Sequence, residues 1–235
     1  MNVIIHGEDP RLATLARRME SAEGAAQKAL NQYREIHLAP IPTRHLPDAL
    51  TPEGKRGRLL ITYGHPEGWE NVAERCIDLE SDESFLEENA RLTALGTLGH
   101  ILMHNTRALP DLSVGVVGYG RIGRRLVHYL CFLGARVSVY SSRNVSLPRG
   151  ARLIEVDWSH PPEGEAYATL DVLINTAPTP LLASAVRPEV LDLASGAPIP
   201  PHVPHKKLAS LPARLYHESA GLACYRAVMR NLNTR

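Results

Sequence analysis

Apolar and polar positions alternate along the chain in short β-type runs separated by helical stretches, the pattern of a parallel α/β architecture. In the first third, residues 2–6 (NVIIH), 35–38, 58–63 (RLLITY) and 76–79 read as strands. Between the first two, Leu12, Leu15, Ala16 and Met19 recur on one helical face, begun at Asp9 and Pro10. Residues 69–74 suit a short helix, and 40–57, with Pro42, Pro47 and Pro52, are loop-rich. From 85 to 106 the pattern is that of one long helix, with Ser81, Asp82 and Glu83 as a capping-type start. Strand patterns return up to Val117 and at 136–140, 152–156, 170–175 (LDVLIN), 190–193 and 213–216. The prolines of 198–204 forbid regular structure, 217–221 read as a loop, and an amphipathic helix is expected at 222–232.

Residues 114–144 combine strand, glycine-rich turn, helix and second strand. Gly118, Gly120 and Gly123 form G-x-G-x-x-G directly after a β-branched run, the context in which this weak pattern becomes informative. Gly118 permits the tight turn, Gly120 lets backbone approach a pyrophosphate, and Gly123 lets helix lie against strand. Tyr119, Arg121 and Ile122 complete the turn, with Arg121 placed for a charge-assisted contact to phosphate. The helix is carried by Ile122, Leu126, Leu130 and Leu133 and stopped by Gly134.

About 20 residues past the glycines, NAD-binding sites place an acid for the ribose 2′-hydroxyl. Here the chain reads Tyr140, Ser141, Ser142, Arg143, and no acidic residue occurs between Leu112 and Ile154. Hydroxyls with arginine suit a 2′-phosphate, so NADP is the expected cofactor. Thr176, Ala177 and Pro178 after one later strand, and Ala194 and Ser195 after another, fall at the carboxyl edge where open α/β sheets bind ligands. The alternative is a glycine-rich hairpin in an unrelated fold.

Composition narrows the partners. A formal charge of +1 over 235 residues calls for neither nucleic acid nor an anionic membrane, and no apolar run approaches membrane-spanning length. Cys76, Cys131 and Cys224 are odd in number and scattered, which fits buried thiols in a reducing cytoplasm. His100 and His104 have a spacing that can bind metal, but no carboxylate accompanies them as in H-E-x-x-H. They read as partly buried histidines between domains, His202 and His205 read as exposed loop residues, and no metal is expected.

The runs 118–123 (GYGRIG), 174–178 (INTAP) and 191–195 (LDLAS), in this order and spacing, resemble the cofactor domain of the dipicolinate synthase family. The helix at 89–107 and the N-terminal NVIIHG also sit where that family has comparable elements. Its wider relatives are the D-2-hydroxyacid dehydrogenases. The resemblance implies two Rossmann-like domains and NADP-linked chemistry on a small dicarboxylate, in that family the oxidation of dihydrodipicolinate to dipicolinate. The expected domains are 1–84, with helix 217–235 packing back on it, and a parallel-sheet NAD(P)-binding domain at 85–216 that includes the bridging helix.

Two departures bear on substrate. Gly196 stands where the family carries an arginine, and the loop His217-Glu218-Ser219-Ala220-Gly221 lacks the family's glycine- and proline-rich sequence. The hydroxyacid dehydrogenases place a histidine near that point, one residue out of register, which makes His217 the candidate acid–base group and Glu218 its orienting partner. The expectation is a cytoplasmic NADP(H)-dependent oxidoreductase acting on a small carboxylic acid between its domains, partnered by a second subunit or a second copy. A non-catalytic NADP-binding regulatory protein and a D-2-hydroxyacid dehydrogenase-like reductase are the alternatives.

Overall fold

The computed structural model describes residues 1–162, 164–178, 188–195 and 199–233. Gly196, Thr179 and Pro180 of the sequence motifs lie outside the described residues. The chain divides into two compact units, Met1–Asn89 with Pro212–Arg235, and Ala90–Leu211. Both are α/β with parallel sheets.

In the first unit, β1 (Asn2–Ile5), β2 (Glu35–Leu38), β3 (Arg58–Thr62) and β4 (Arg75–Asp78) follow one another across a four-stranded sheet. All five residues of β3 are buried, as expected of an inner parallel strand covered on both faces. Helix α1 (Pro10–Glu20) begins where Asp9 accepts a hydrogen bond from the Arg11 backbone N–H, with Pro10 in the first turn. Its Leu12, Leu15 and Met19 pack with Ile36, Leu59, Ile61 and Phe85. The same core takes Ala227 and Val228 of the C-terminal helix α7 (His217–Asn233), numbered after α2 (Gly24–Leu30), α3 (Trp69–Val72), α4 (Glu83–His104), α5 (Arg121–Phe132) and α6 (Leu211–Leu215). Close approach is enforced at Gly221, where a Cβ would lie 2.5 Å from Thr14 Cβ.

The second unit holds β5 (Ser113–Val117), β6 (Arg136–Ser141), β7 (Ala151–Glu155), β8 (Val172–Asn175), β9 (Glu189–Asp192) and β10 (Lys206–Lys207). Their order, β10-β9-β8-β5-β6-β7, is the doubly wound arrangement with its switch point between β5 and β8. Val114, Val116, Val137 and Val139 meet Ala94, Leu98 and Ile101 of α4 and Leu126, Val127 and Leu130 of α5. Val117, Tyr140, Leu173 and Val190 instead meet Tyr167, Leu170, Ile199 and Val203 from connections. Gly115 is needed in this second group, because a Cβ there would come 2.5 Å from Leu170 Cδ1.

Several expectations are corrected. Residues 213–216 are not a strand; they fall at α6 and its end, where Pro212 sits in the first helical turn and fixes φ for a helix. The sixth strand is instead β10, two residues long and too short to read from periodicity. The seven residues of α2 also lack a readable repeat. Residues 217–221 are the first turns of α7 rather than a loop. Only Cys224 is fully buried, with its thiol pushed up to about 12 by burial; Cys76 and Cys131 are half-buried. Among the described residues, no helix is long and apolar enough to cross a membrane.

Candidate functional site

The turn after β5 is built by sterics that differ at each glycine. Gly118 has φ +88°, and a Cβ on it would stand 2.9 Å from Ala177 Cβ. At Gly123 a Cβ would be 2.2 Å from the Gly118 carbonyl oxygen, so only glycine lets α5 start this close to the strand. At Gly120, which precedes the first turn of α5, a Cβ would meet nothing within 4 Å among the described residues. A helix N-terminus behind such a turn is the place a phosphate takes in dinucleotide-binding folds.

Thr176 supports the turn from below. Its hydroxyl donates to the Val117 carbonyl at 2.8 Å, and its backbone N–H donates to the same oxygen at 2.9 Å. At the end of β6, the Ser141 hydroxyl accepts from the Arg143 backbone N–H at 3.1 Å, which leaves Ser142 and Arg143 exposed. A cavity of about 380 Å³ brings Gly118, Tyr119 and Gly120 together with Ser141, Ser142, Arg143, Thr176, Ala177 and Pro178. Its size falls in the range of small-molecule sites, roughly 300–1,000 Å³.

Val145 and Trp158 also line this cavity. Neither was expected from the sequence. Trp158 follows β7 and is half-buried against the Tyr140 side of the core, so it offers a flat apolar wall at the carboxyl edge. Its signal was present as a lone tryptophan in a polar connection just past a strand. Tyr119 donates its hydroxyl to the Ser146 carbonyl at 3.3 Å, and burial raises its pKa above the ordinary phenol value.

Other expected residues fall beside the cavity. Arg121 is exposed on the first turn of α5, and Ile122 packs partly against the core. Ala194 is buried, with its N–H donating to Asp192 Oδ1 at 3.1 Å, while Ser195 is exposed. Ala194 belongs to a network that the sequence did not disclose. Asn175 Nδ2 donates to Asp192 Oδ1 at 3.0 Å, and Lys207 Nζ meets Asp192 Oδ2 at 2.7 Å and also donates to the Ala194 carbonyl. Asp192 is 2% exposed, so its charge is tolerated through these partners. The network ties β8, β9 and β10 together at the edge that carries the cavity.

His217 and Glu218 open α7 in the first unit. Glu218 borders a separate hollow of about 300 Å³ with Thr14, Arg17, Arg18 and Ser21. His100 and His104 stack at 4.0 Å, and the His100 Nε2 lies 3.6 Å from Glu189 Oε1. Burial, with Lys206 and His104 nearby, holds the His100 pKa below its ordinary value. Among the described residues no cluster of three or more ligating side chains has the geometry for a metal. His202 and His205 are exposed, His205 with Nδ1 2.9 Å from the Val203 carbonyl.

A helix N-terminus behind a glycine turn, at the switch point of a doubly wound sheet, is the arrangement of a Rossmann-like dinucleotide-binding fold. The residues fit a dinucleotide phosphate: among the described residues, nothing lies within 4 Å of a Cβ placed at Gly120, where the anion would lie. In fold the chain is similar to a dipicolinate synthase subunit from Bacillus halodurans, at TM-score 0.74 and 16% identity over 100% of this chain and 98% of that one. Dipicolinate synthase from Bacillus subtilis gives 0.67 and 16%, over 99% and 95%. A transhydrogenase from Sinorhizobium meliloti gives 0.63 and 18%, over 99% and 92%. Such identities establish a shared fold of two Rossmann-like units and nothing finer. No protein-family model and no curated protein matches the sequence.

Proposed function

We propose that the chain is an NADP(H)-dependent oxidoreductase whose substrate is a small carboxylic acid, as in the dipicolinate synthases that it resembles in fold. The observation that carries this reading is the cavity joining the glycine turn to Ser141, Ser142 and Arg143. Backbone N–H groups of the turn and the first turn of α5 hold the pyrophosphate, while Ser142 and Arg143 receive the 2′-phosphate. Trp158 and Val145 form the apolar wall against which the nucleoside lies. When bound, the nicotinamide supplies or accepts a hydride.

The proton that accompanies the hydride is assigned to His217, with Glu218 beside it, an acid–base contribution typically worth about 10²–10⁴ in rate. His217→Asn is then expected to leave NADPH affinity intact and cut turnover at least about a hundredfold. Cytoplasmic location and a second subunit or second copy as partner belong to the same reading.

The test is parallel titration of the full chain with NADPH and NADH, followed by turnover assays with small dicarboxylates. Tighter NADPH binding is expected, and equal curves for the two cofactors would overturn the assignment of NADP. A second reading, NADP binding without catalysis, is favoured by Gly196, which stands where the resembling family has a substrate-binding arginine. Its mark is saturable NADPH binding with no turnover of any acid tried.

A further inference from the structure

The six-stranded sheet has a second hollow at its opposite edge, independent of the glycine turn. About 350 Å³ in volume, it is bordered by the first residues of three strands, Ser113 of β5, Arg136 of β6 and Ala151 of β7, together with Ser138, Arg152 and Thr169. Residues 136 and 141 mark the two ends of β6, so this hollow and the cofactor cavity are separated by about 16 Å at roughly 3.3 Å per strand residue.

The two exposed arginines here are each oriented by a serine hydroxyl. Arg152 Nε donates to the Ser138 hydroxyl at 2.8 Å, and Arg136 Nε donates to the Ser113 hydroxyl at 3.2 Å. Arg136 also donates a terminal N–H to the Asp111 carbonyl at 3.1 Å. Each guanidinium is thus held through its Nε by a serine, and Ser138 is itself buried. A guanidinium has five N–H donors in a rigid fork, so several terminal donors remain on both arginines. Both serine hydroxyls have accepted a hydrogen bond and keep their own O–H to give.

The result is a concentration of donors with few acceptors. Among the described lining residues there is no carboxylate. The nearby Asp171 is committed elsewhere, to Arg107 at 2.7 Å and to the Ser113 backbone N–H at 2.8 Å. Planar forks and hydroxyl donors match the oxygens of a phosphate group, to which arginine binds in bidentate fashion. The hollow is also larger than a phosphate ion requires, and Val137 and Leu170 add an apolar side to it.

We propose that the amino-terminal edge of this sheet is a binding site for a phosphate group, carried on a small phosphate monoester, with Arg136 and Arg152 as its clamps and Ser113 and Ser138 as the groups that position them. The site does not depend on the cofactor reading, and its occupant differs from a dinucleotide in needing only one phosphate. Because the arginines are exposed, its affinity falls as salt rises.

The experiment is calorimetric titration of the full chain with inorganic phosphate and with ribose 5-phosphate at constant ionic strength, on the wild type, Arg152→Gln, Arg136→Gln and Gly120→Val. Saturable binding is expected that weakens at least tenfold, about 1.4 kcal/mol, in Arg152→Gln and is unchanged in Gly120→Val. Tighter binding of ribose 5-phosphate than of phosphate identifies an ester as the natural occupant, whereas equal or tighter binding of phosphate overturns the ester and leaves a free-anion site. Loss in Gly120→Val with no change in either arginine variant would show that the probe is read at the glycine turn, and the proposal falls. It falls equally if neither probe saturates on the wild type. Circular dichroism and the thermal midpoint separate lost binding from misfolding. Should Arg152→Gln misfold, Arg152→Lys keeps the charge without the fork, and undiminished binding in that variant and in Arg136→Gln overturns the proposal.

Discussion

Glycines that look alike in the sequence are required for unlike reasons. A Cβ at Gly120 meets open space, whereas one at Gly123 meets the Gly118 carbonyl oxygen at 2.2 Å. Gly120→Val is therefore expected to unfold at the wild-type temperature yet lose NADPH binding, and a wild-type titration curve would place the phosphate elsewhere. Gly123→Ala strains the junction of turn and helix, an overpacking worth about 1–3 kcal/mol, and should lower the denaturant midpoint itself. For Arg143→Ala, loss of a charge-assisted hydrogen bond of about 1.5–3 kcal/mol should weaken NADPH roughly ten- to hundredfold and NADH hardly at all. Equal weakening of both would put Arg143 on the phosphates they share. These residues were legible because spacing alone encodes a turn and its neighbouring strand end. Trp158 and the Asn175–Asp192–Lys207 network were not, since their roles come from tertiary proximity: Asp192 and its lysine partner are fifteen positions apart.

Among the elements, α4 has the most explicit start signal. Asp82 Oδ1 accepts from the Phe85 backbone N–H at 2.7 Å, the capping contact expected from its sequence. The sequence did not show that Arg230 of α7 also grips this carboxylate, at 2.8 Å and 3.0 Å through two nitrogens. That hydrogen-bonded arginine is the main cause of an Asp82 pKa held below the usual 3.8, against a smaller opposing effect of burial. A depressed carboxyl pKa contributes stability that is complete above the unfolded value and is lost as pH falls through the folded one. Asp82→Ala should cost about 0.5–2 kcal/mol at neutral pH, while Asp82→Asn, which retains an acceptor for Phe85, should cost less. Denaturant melts at pH 7 and near pH 2 test both statements, and a deficit unchanged at the acid end would remove the charge from the explanation. Long elements and inner strands were readable from periodicity. The short ones, α2, α6 and β10, hold too few residues to show a period and form only because the finished unit surrounds them.

At the level of the whole molecule, three imidazoles resist protonation. His6 Nε2 lies 2.8 Å from His37 Nδ1, and burial is the first cause of lowered pKa at both, followed at His6 by the charges of His37 and Arg58. His100 is lowered likewise, by burial first and then by Lys206 and His104. An unfolded chain takes up protons on these groups near 6.5, before the folded one does, so stability should fall as pH drops below that value. His6→Gln should flatten the decline, and a midpoint constant from about pH 7.5 to about pH 5 would show that folding leaves these groups free to charge. The two-unit α/β organisation was legible as alternating strand and helix periods, but the order of strands across each sheet was not, because periodicity carries no information about neighbours. That organisation also dictates a sequence of events at birth. The Ala90–Leu211 unit is one continuous stretch, whereas the other is written in two instalments, with α7 made after that stretch to meet Leu12, Leu15 and Thr14 of α1. On the ribosome the glycine-turn unit can therefore close before α7 is made, while β1 to β4 keep an uncovered apolar face until that helix follows.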